Sequence, residues 1–171
     1  MNKEQLGAMW EHFRTVNGIT MRAIQAIPKD NVESHPVRDM RTPKELVAHM
    51  YETMSSVAEG VAKGTITTNE KAASGAGIKT HDDLVRYASE SWKAADKAVR
   101  SLTDAQIASM VKTPWGMDFP GHVCVNIIYD EHMHHRGQLY TYLRQMGIEP
   151  PFMWDFENNA PEFQQKAPQS A

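Results

Sequence analysis

Eight of the 171 residues are histidine, and three of these crowd into Glu131-His132-Met133-His134-His135. Carboxylates and imidazoles three or four residues apart share one side of a helix, which is the spacing at which two side chains can hold a single divalent ion. At about 100° per residue, Cys124, Ile128, His135, Leu139, Tyr142 and Met146 fall within one sector, so that side faces the core. Glu131 lies about 40° to one side of His135 and His132 about 60° to the other; both reach inward, while His134 points away. An ionised carboxylate placed inside a protein without a partner costs several kcal/mol. A metal ion removes that penalty, and a buried ion pair is the competing solution.

A third donor is available in His49. The apolar stripe of its segment is Leu46, Met50, Met54, Val57 and Val61, and His49 falls about 100° from its centre, between the stripe and the polar side that carries Glu52 and Glu59. Thr53, Ser56 and Gly60 on the same edge are small enough to admit another helix or a substrate. Spacing alone leaves two readings of His49: a ligand, or a boundary histidine bonded to backbone.

These residues must be positioned by helices, and the helices announce themselves by their caps. Leu6, Met9, Trp10, Phe13, Val16, Thr20, Ile24 and Ile27 recur at helical spacing between a candidate cap at Asn2 and the breaker Pro28. Thr42-Pro43-Lys44-Glu45 joins a capping hydroxyl, a proline where no amide partner is needed and a glutamate able to reach back. Thr80 with Asp83 opens a third pattern, and Thr103 with Gln106 a short one. Pro120 opens the last, which Gly147, Pro150 and Pro151 stop. The expectation is an all-α domain with long helices over residues 3–27, 43–63, 81–102 and 120–146, plus a short extra helix between the third and fourth. Thr65-Ile66-Thr67-Thr68 is the only β-leaning run and is read as loop. The connection 65–79 can span roughly 50 Å, longer than a twenty-residue helix, so the second and third helices can run either parallel or antiparallel. Residues 1–156 are assigned to the domain and 157–171 to a C-terminal tail; the aromatics after Pro151, namely Phe152, Trp154, Phe156 and Phe163, can pack on the bundle, and Gln164–Ala171 are read as disordered.

Composition narrows the partners. Eighteen Lys and Arg against twenty-one Asp and Glu, a net charge of −3, do not supply the basic surface of a nucleic-acid binder. The single cysteine rules out an internal disulfide framework and suits a cytoplasmic location. No run of eighteen apolar residues exists, so no membrane span is expected. Glycine-rich phosphate loops, nucleophile elbows and paired cysteines are all missing.

The segment Asp130-Glu131-His132-Met133-His134-His135-Arg136-Gly137-Gln138-Leu139, continuing through Tyr142-Leu143-Arg144 to Gly147-Ile148-Glu149-Pro150-Pro151, resembles the last-helix signature of the DinB-like (YfiT-like) metal-dependent hydrolase superfamily. Arg41-Thr42-Pro43-Lys44-Glu45-Leu46-Val47-Ala48-His49 resembles that family's second-helix motif. The resemblance implies an up-down-down-up four-helix bundle, frequently a homodimer, with a divalent metal (Zn, Ni, Fe or Mn) held by one histidine of the second helix and two on the last. Carried over by position, these ligands fall on His49, Glu131 and His135. Family members commonly show His then Glu where this chain has Glu131 then His132. Either the carboxylate replaces an imidazole, or His132 takes the role at a spacing of three.

Three protein ligands leave coordination positions open, and an open divalent site supports hydrolysis or, as the resemblance implies, transfer to a low-molecular-weight thiol. The expected function is therefore a hydrolase or thiol-dependent transferase acting on a small cytoplasmic molecule. The alternative is a non-catalytic metal-binding or stress-related dimer. His12, His35, His81, His122 and His134 are read as exposed or interface imidazoles, Cys124, Tyr51 and Tyr142 as core, and Arg136 and Arg144 as surface or dimer-contact charges.

Overall fold

The structure, a computed structural model, describes residues 1–164. Four long helices carry it: α1 (Lys3–Gln25), α2 (Pro43–Lys63), α4 (His81–Ser101) and α6 (Gly121–Gln145), with the short α3 (Glu70–Ala73) and α5 (Asp104–Ala108) between them. Each long helix ends within two residues of its expected bounds. Local chemistry explains this agreement. Asn2 Oδ1 accepts the Gln5 amide at 2.9 Å while Gln5 reaches back to the Asn2 amide at 3.1 Å; the same reciprocal box is made by Thr42 with Glu45, Thr80 with Asp83 and Thr103 with Gln106. Each box satisfies two amide donors that a helix start leaves without partners.

The connections hold two features that the sequence pattern did not suggest. One is α3; the other is a small antiparallel pair, β1 (Met110–Val111) with β2 (Phe119–Pro120). The run read as loop joins it, for Thr65 bridges Lys112 and the Ile66 amide donates to the Lys112 carbonyl at 2.8 Å. Burial drives the pairing: Ile66 and Val111 are almost inaccessible, so the backbone groups beside them must find partners away from water. Gly60 makes room for the crossing, since a Cβ there would stand 2.5 Å from Ile66 Cγ1.

Side-chain contacts tie the long helices together. Trp10 stacks on Trp92 at 5.4 Å and donates its indole N–H to Asp96 at 2.8 Å, joining the start of α1 to the end of α4. Tyr87 reaches the Ala48 carbonyl near the start of α2, and Gln106 donates to the Ala62 carbonyl near its end. Tyr142, late on α6, donates to the Arg41 carbonyl at 2.7 Å. The apolar core lies between these helices and includes Phe13, Ile24, Met50, Met54, Leu84, Ile128 and Leu139.

Beyond residue 156 the chain packs on the helices, with Phe163 seated there as the tail aromatics were expected to be. Asn159 is buried with its amide donating to the Thr15 carbonyl at 2.9 Å, and Phe163 packs beside Trp92. Arg14 donates to the carbonyls of Glu162 and Gln164. Gly18 is the opening for this segment, because a Cβ there would lie 2.5 Å from Phe163 Cβ. Of the stretch expected to be disordered, Gln164 is anchored by its own amide to the Glu157 and Asn159 carbonyls, and residues 165–171 lie outside the described residues. No helix among the described residues is long and apolar enough to cross a membrane.

Candidate metal centre

α2 and α6 pack side by side, and their contact brings His49 to Glu131 and His135. Glu131 Oε2 lies 3.1 Å from His135 Nε2 and 3.8 Å from His49 Nε2. The two imidazole rings are 4.9 Å apart and nearly perpendicular. All three donor atoms fall within 4.8 Å of one another. Exposure is graded across the group: the side chain of His135 is 6% exposed, that of His49 27% and that of Glu131 41%. The centre thus has a buried floor and an open side.

His135 is oriented from behind. Its Nδ1 lies 2.8 Å from Gln138 Oε1, one helical turn on, so an N–H on Nδ1 leaves the Nε2 lone pair aimed at the group. Both ring nitrogens therefore face oxygen acceptors, and a neutral imidazole has only one N–H to offer them. A cation on the Nε2 side, whether a proton or a metal, satisfies the other. Burial, with the charge of Arg41 second, holds the pKa of His49 below its ordinary value and favours the neutral form that ligates metals.

His132 goes elsewhere. It is almost inaccessible, with Nε2 2.8 Å from the Thr20 hydroxyl of α1 and its ring edge-on to Phe13 at 4.9 Å. Burial pushes its pKa down to about 3. Among the described residues it does not join the His49, Glu131 and His135 group. The helix offered Glu131 and His132 as flanks of His135 at similar angles; α2 receives the first and α1 the second.

The group opens onto a cleft of about 850 Å³ whose walls include Arg41, Glu52, Trp115 and Ile127. Trp115 stands on the turn between β1 and β2 and is 45% exposed. Glu52, three residues after His49, accepts the Asn69 amide at 3.2 Å, and burial raises its carboxyl pKa. Thr53 and Ser56, the small edge residues noted beside His49, also line this cleft.

The other sequence-selected residues are more ordinary, with one correction. His134 is exposed beside the Gln138 amide, His12 is exposed near Phe156, and His35, His81 and His122 each face a backbone carbonyl. Cys124 is inaccessible in the core, and burial raises its thiol pKa. Tyr51 and Tyr142 are core residues with hydroxyls bonded to Asn17 and the Arg41 carbonyl. Arg136 was expected at the surface but is only 5% exposed, its guanidinium 5.8 Å from the Tyr140 ring. The guanidinium itself is buried, with Nη1 lacking a hydrogen-bond partner among the described residues, which the helical wheel of α6 alone does not show. Arg41, Glu52, Trp115 and Gln138 were not singled out. Gln138 and Glu52 carried a local signal, each standing three residues after a candidate ligand, His135 and His49.

Comparison with known proteins places this geometry in a family context. The DinB family profile matches residues 1–167. The Bacillus subtilis (strain 168) protein YjoA, described as uncharacterized, is 23% identical over 144 residues, covering 82% of this chain and 91% of its own. The crystal structure of YjoA, titled a DinB-like protein, matches with a TM-score of 0.69 over 91% of this chain and 96% of that one. At 23% identity that likeness speaks to the fold.

Proposed function

The chain belongs to the DinB family, and from that membership and the geometry of the centre we propose that it is a metal-dependent enzyme, a hydrolase or a thiol-dependent transferase, acting on a small molecule in the α2–α6 cleft. His49, Glu131 and His135 are the residues that hold one divalent ion. The observation that carries this reading is the convergence of three donor atoms within 4.8 Å on the wall of a cleft. With metal–ligand bonds of about 2.0–2.2 Å, donors in a tetrahedral site stand about 3.3–3.6 Å apart. The Glu131 separations of 3.1 and 3.8 Å bracket that range, and the two imidazole donors, within 4.8 Å of each other, would draw together on an ion. Two imidazoles and a carboxylate suit Zn, Ni, Fe or Mn.

A divalent ion bound there supplies Lewis acidity toward a substrate oxygen, or toward a thiol whose proton it makes easier to lose. The chain's own contribution is positional. Gln138 fixes the His135 ring, Glu131 offsets part of the cationic charge, and the open side at Glu131 leaves room for a reactant. Glu52 faces the same cleft with one oxygen anchored by Asn69, and its raised pKa suits it to hold and release a proton there. The scaffold is read as an up-down-down-up bundle: the pairings of Ala48 with Tyr87 and of Ala62 with Gln106 support α2 and α4 running in the same direction. Elemental analysis of protein purified without an affinity tag tests the reading. One divalent ion per chain is expected; no transition metal in the purified protein, and none taken up on incubation with Zn²⁺ or Ni²⁺, would overturn it.

A further inference from the structure

Three cations lie close together in the chain before and at the start of α2, and they are not alike. Arg38 pairs with Asp39 at 3.2 Å and Lys44 pairs with Glu33. Arg41, between them, takes part in none of the ion pairs among the described residues. Its side chain is exposed, yet its backbone is pinned, because the buried Tyr142 donates to its carbonyl at 2.7 Å. Arg41 lines the same cleft as His49 and Glu131.

The carboxylate nearest to it in sequence on that wall is already engaged. Glu45 Oε2 accepts from both the amide and the hydroxyl of Thr42 at 2.9 and 3.0 Å, closing the helix cap. Glu52 accepts the Asn69 amide. An unpaired guanidinium therefore stands beside a centre read as holding a dication, with Glu131 as its only anionic ligand. Two cationic groups on one wall repel, and an anion from outside that reaches both relieves the repulsion. The planar fork of arginine matches a carboxylate through two parallel hydrogen bonds. A single guanidinium in a cleft also lined by Glu45, Glu52, Glu70 and Glu131 suits a monoanion better than a phosphate dianion, which would need further donors and meet more repulsion.

Resting on the metal reading above, we infer that Arg41 selects the substrate: the cleft takes a small molecule carrying a carboxylate, which Arg41 binds while the molecule's reactive group lies at the His49, Glu131 and His135 centre. The full chain loaded with Co²⁺ provides a test that needs no knowledge of the natural substrate. Three probe thiols differing at one end are titrated, with the thiolate-to-cobalt absorption as readout: 3-mercaptopropionate, 3-mercapto-1-propanol and 3-aminopropanethiol. The unaltered chain is expected to bind the carboxylate thiol about tenfold more tightly than the alcohol, the worth of one charge-assisted contact. Arg41→Gln should erase that preference, any change in thiolate affinity from the lost charge being common to the three probes, and Arg41→Lys should retain part of it. Because the result is a difference between probes compared across variants, chelation by the probe's own carboxylate cancels. Equal binding of the acid and the alcohol, tighter binding of the amine, or a preference that survives Arg41→Gln overturns the role of Arg41 and leaves the metal reading standing. Failure of the unaltered chain to take up cobalt overturns both.

Discussion

Replacing Glu131 by Gln keeps the shape of the side chain and removes its charge, which makes it the sharpest probe of the proposed centre. A unit negative charge about 2.1 Å from a dication interacts by roughly 4 kcal/mol even at the dielectric constant of bulk water, and by more at lower effective values. The side chain is 41% exposed, so the bulk value is the conservative choice. Glu131→Gln should therefore weaken Zn²⁺ binding by about a thousandfold, since each 1.4 kcal/mol is a factor of ten. His132→Leu is the control. It removes both ring nitrogens from a buried site, leaves the Thr20 hydroxyl its contact with the Val16 carbonyl, and touches none of the three donors. Its Zn²⁺ affinity should stay within threefold of the unaltered chain. Competition against a chromophoric chelator measures both constants on tag-free protein, with circular dichroism confirming that each variant is folded. Unchanged affinity in Glu131→Gln together with a large loss in a folded His132→Leu would refute the reasoning, because it would place the third ligand on the other flank of His135.

Gln138→Ala removes the acceptor that orients His135 and should reduce metal affinity by about 10–100-fold, the usual worth of such a partner, with little change in the thermal midpoint of the metal-free chain. Stability should fall in acid. His132 stays neutral in the folded chain down to about pH 3, while in the unfolded chain it takes up a proton near its ordinary 6.5. The unfolded chain thus gains a proton as pH drops through that window, at a cost approaching about 1.4 kcal/mol per pH unit, and denaturant titrations of His132→Leu should show a shallower slope. Gly18→Ala should cost about 1–3 kcal/mol and expose the segment around Phe163 to proteolysis, because the new methyl meets Phe163 Cβ and the Asn159 amide; unchanged stability and cleavage would refute that packing. A homodimer is expected, with the exposed Phe152, Met153 and Trp154 as its apolar contact, and light scattering that shows a monomer at micromolar concentration would reject it.

The four long helices were legible in the sequence because their signals are local. A threonine or asparagine caps an amide three residues away, and a proline or glycine stops the chain where it stands. The pairing of Glu131 with His135 was legible for the same reason, as four residues along a helix is one turn. What lies on neighbouring elements was not. His49 sat at the margin of its own stripe, and only the packing of α2 on α6 turns it toward Glu131. Glu131 and His132 flanked His135 at similar angles, so helical geometry alone could not say which would meet α2; Thr20 and Phe13 on α1 decide it by enclosing His132. The β1–β2 pair rests on two-residue runs too short to show a period, and the bridge from Thr65 to Lys112 on a partner dozens of residues away. Arg136 reads as a surface cation until the folded chain buries its guanidinium. Arg41 reads as one cation among several until Arg38 and Lys44 are seen paired and Arg41 is not. Short-range capping and periodicity are written in consecutive residues, whereas the final few degrees of each side chain's direction are set by whichever helix packs against it.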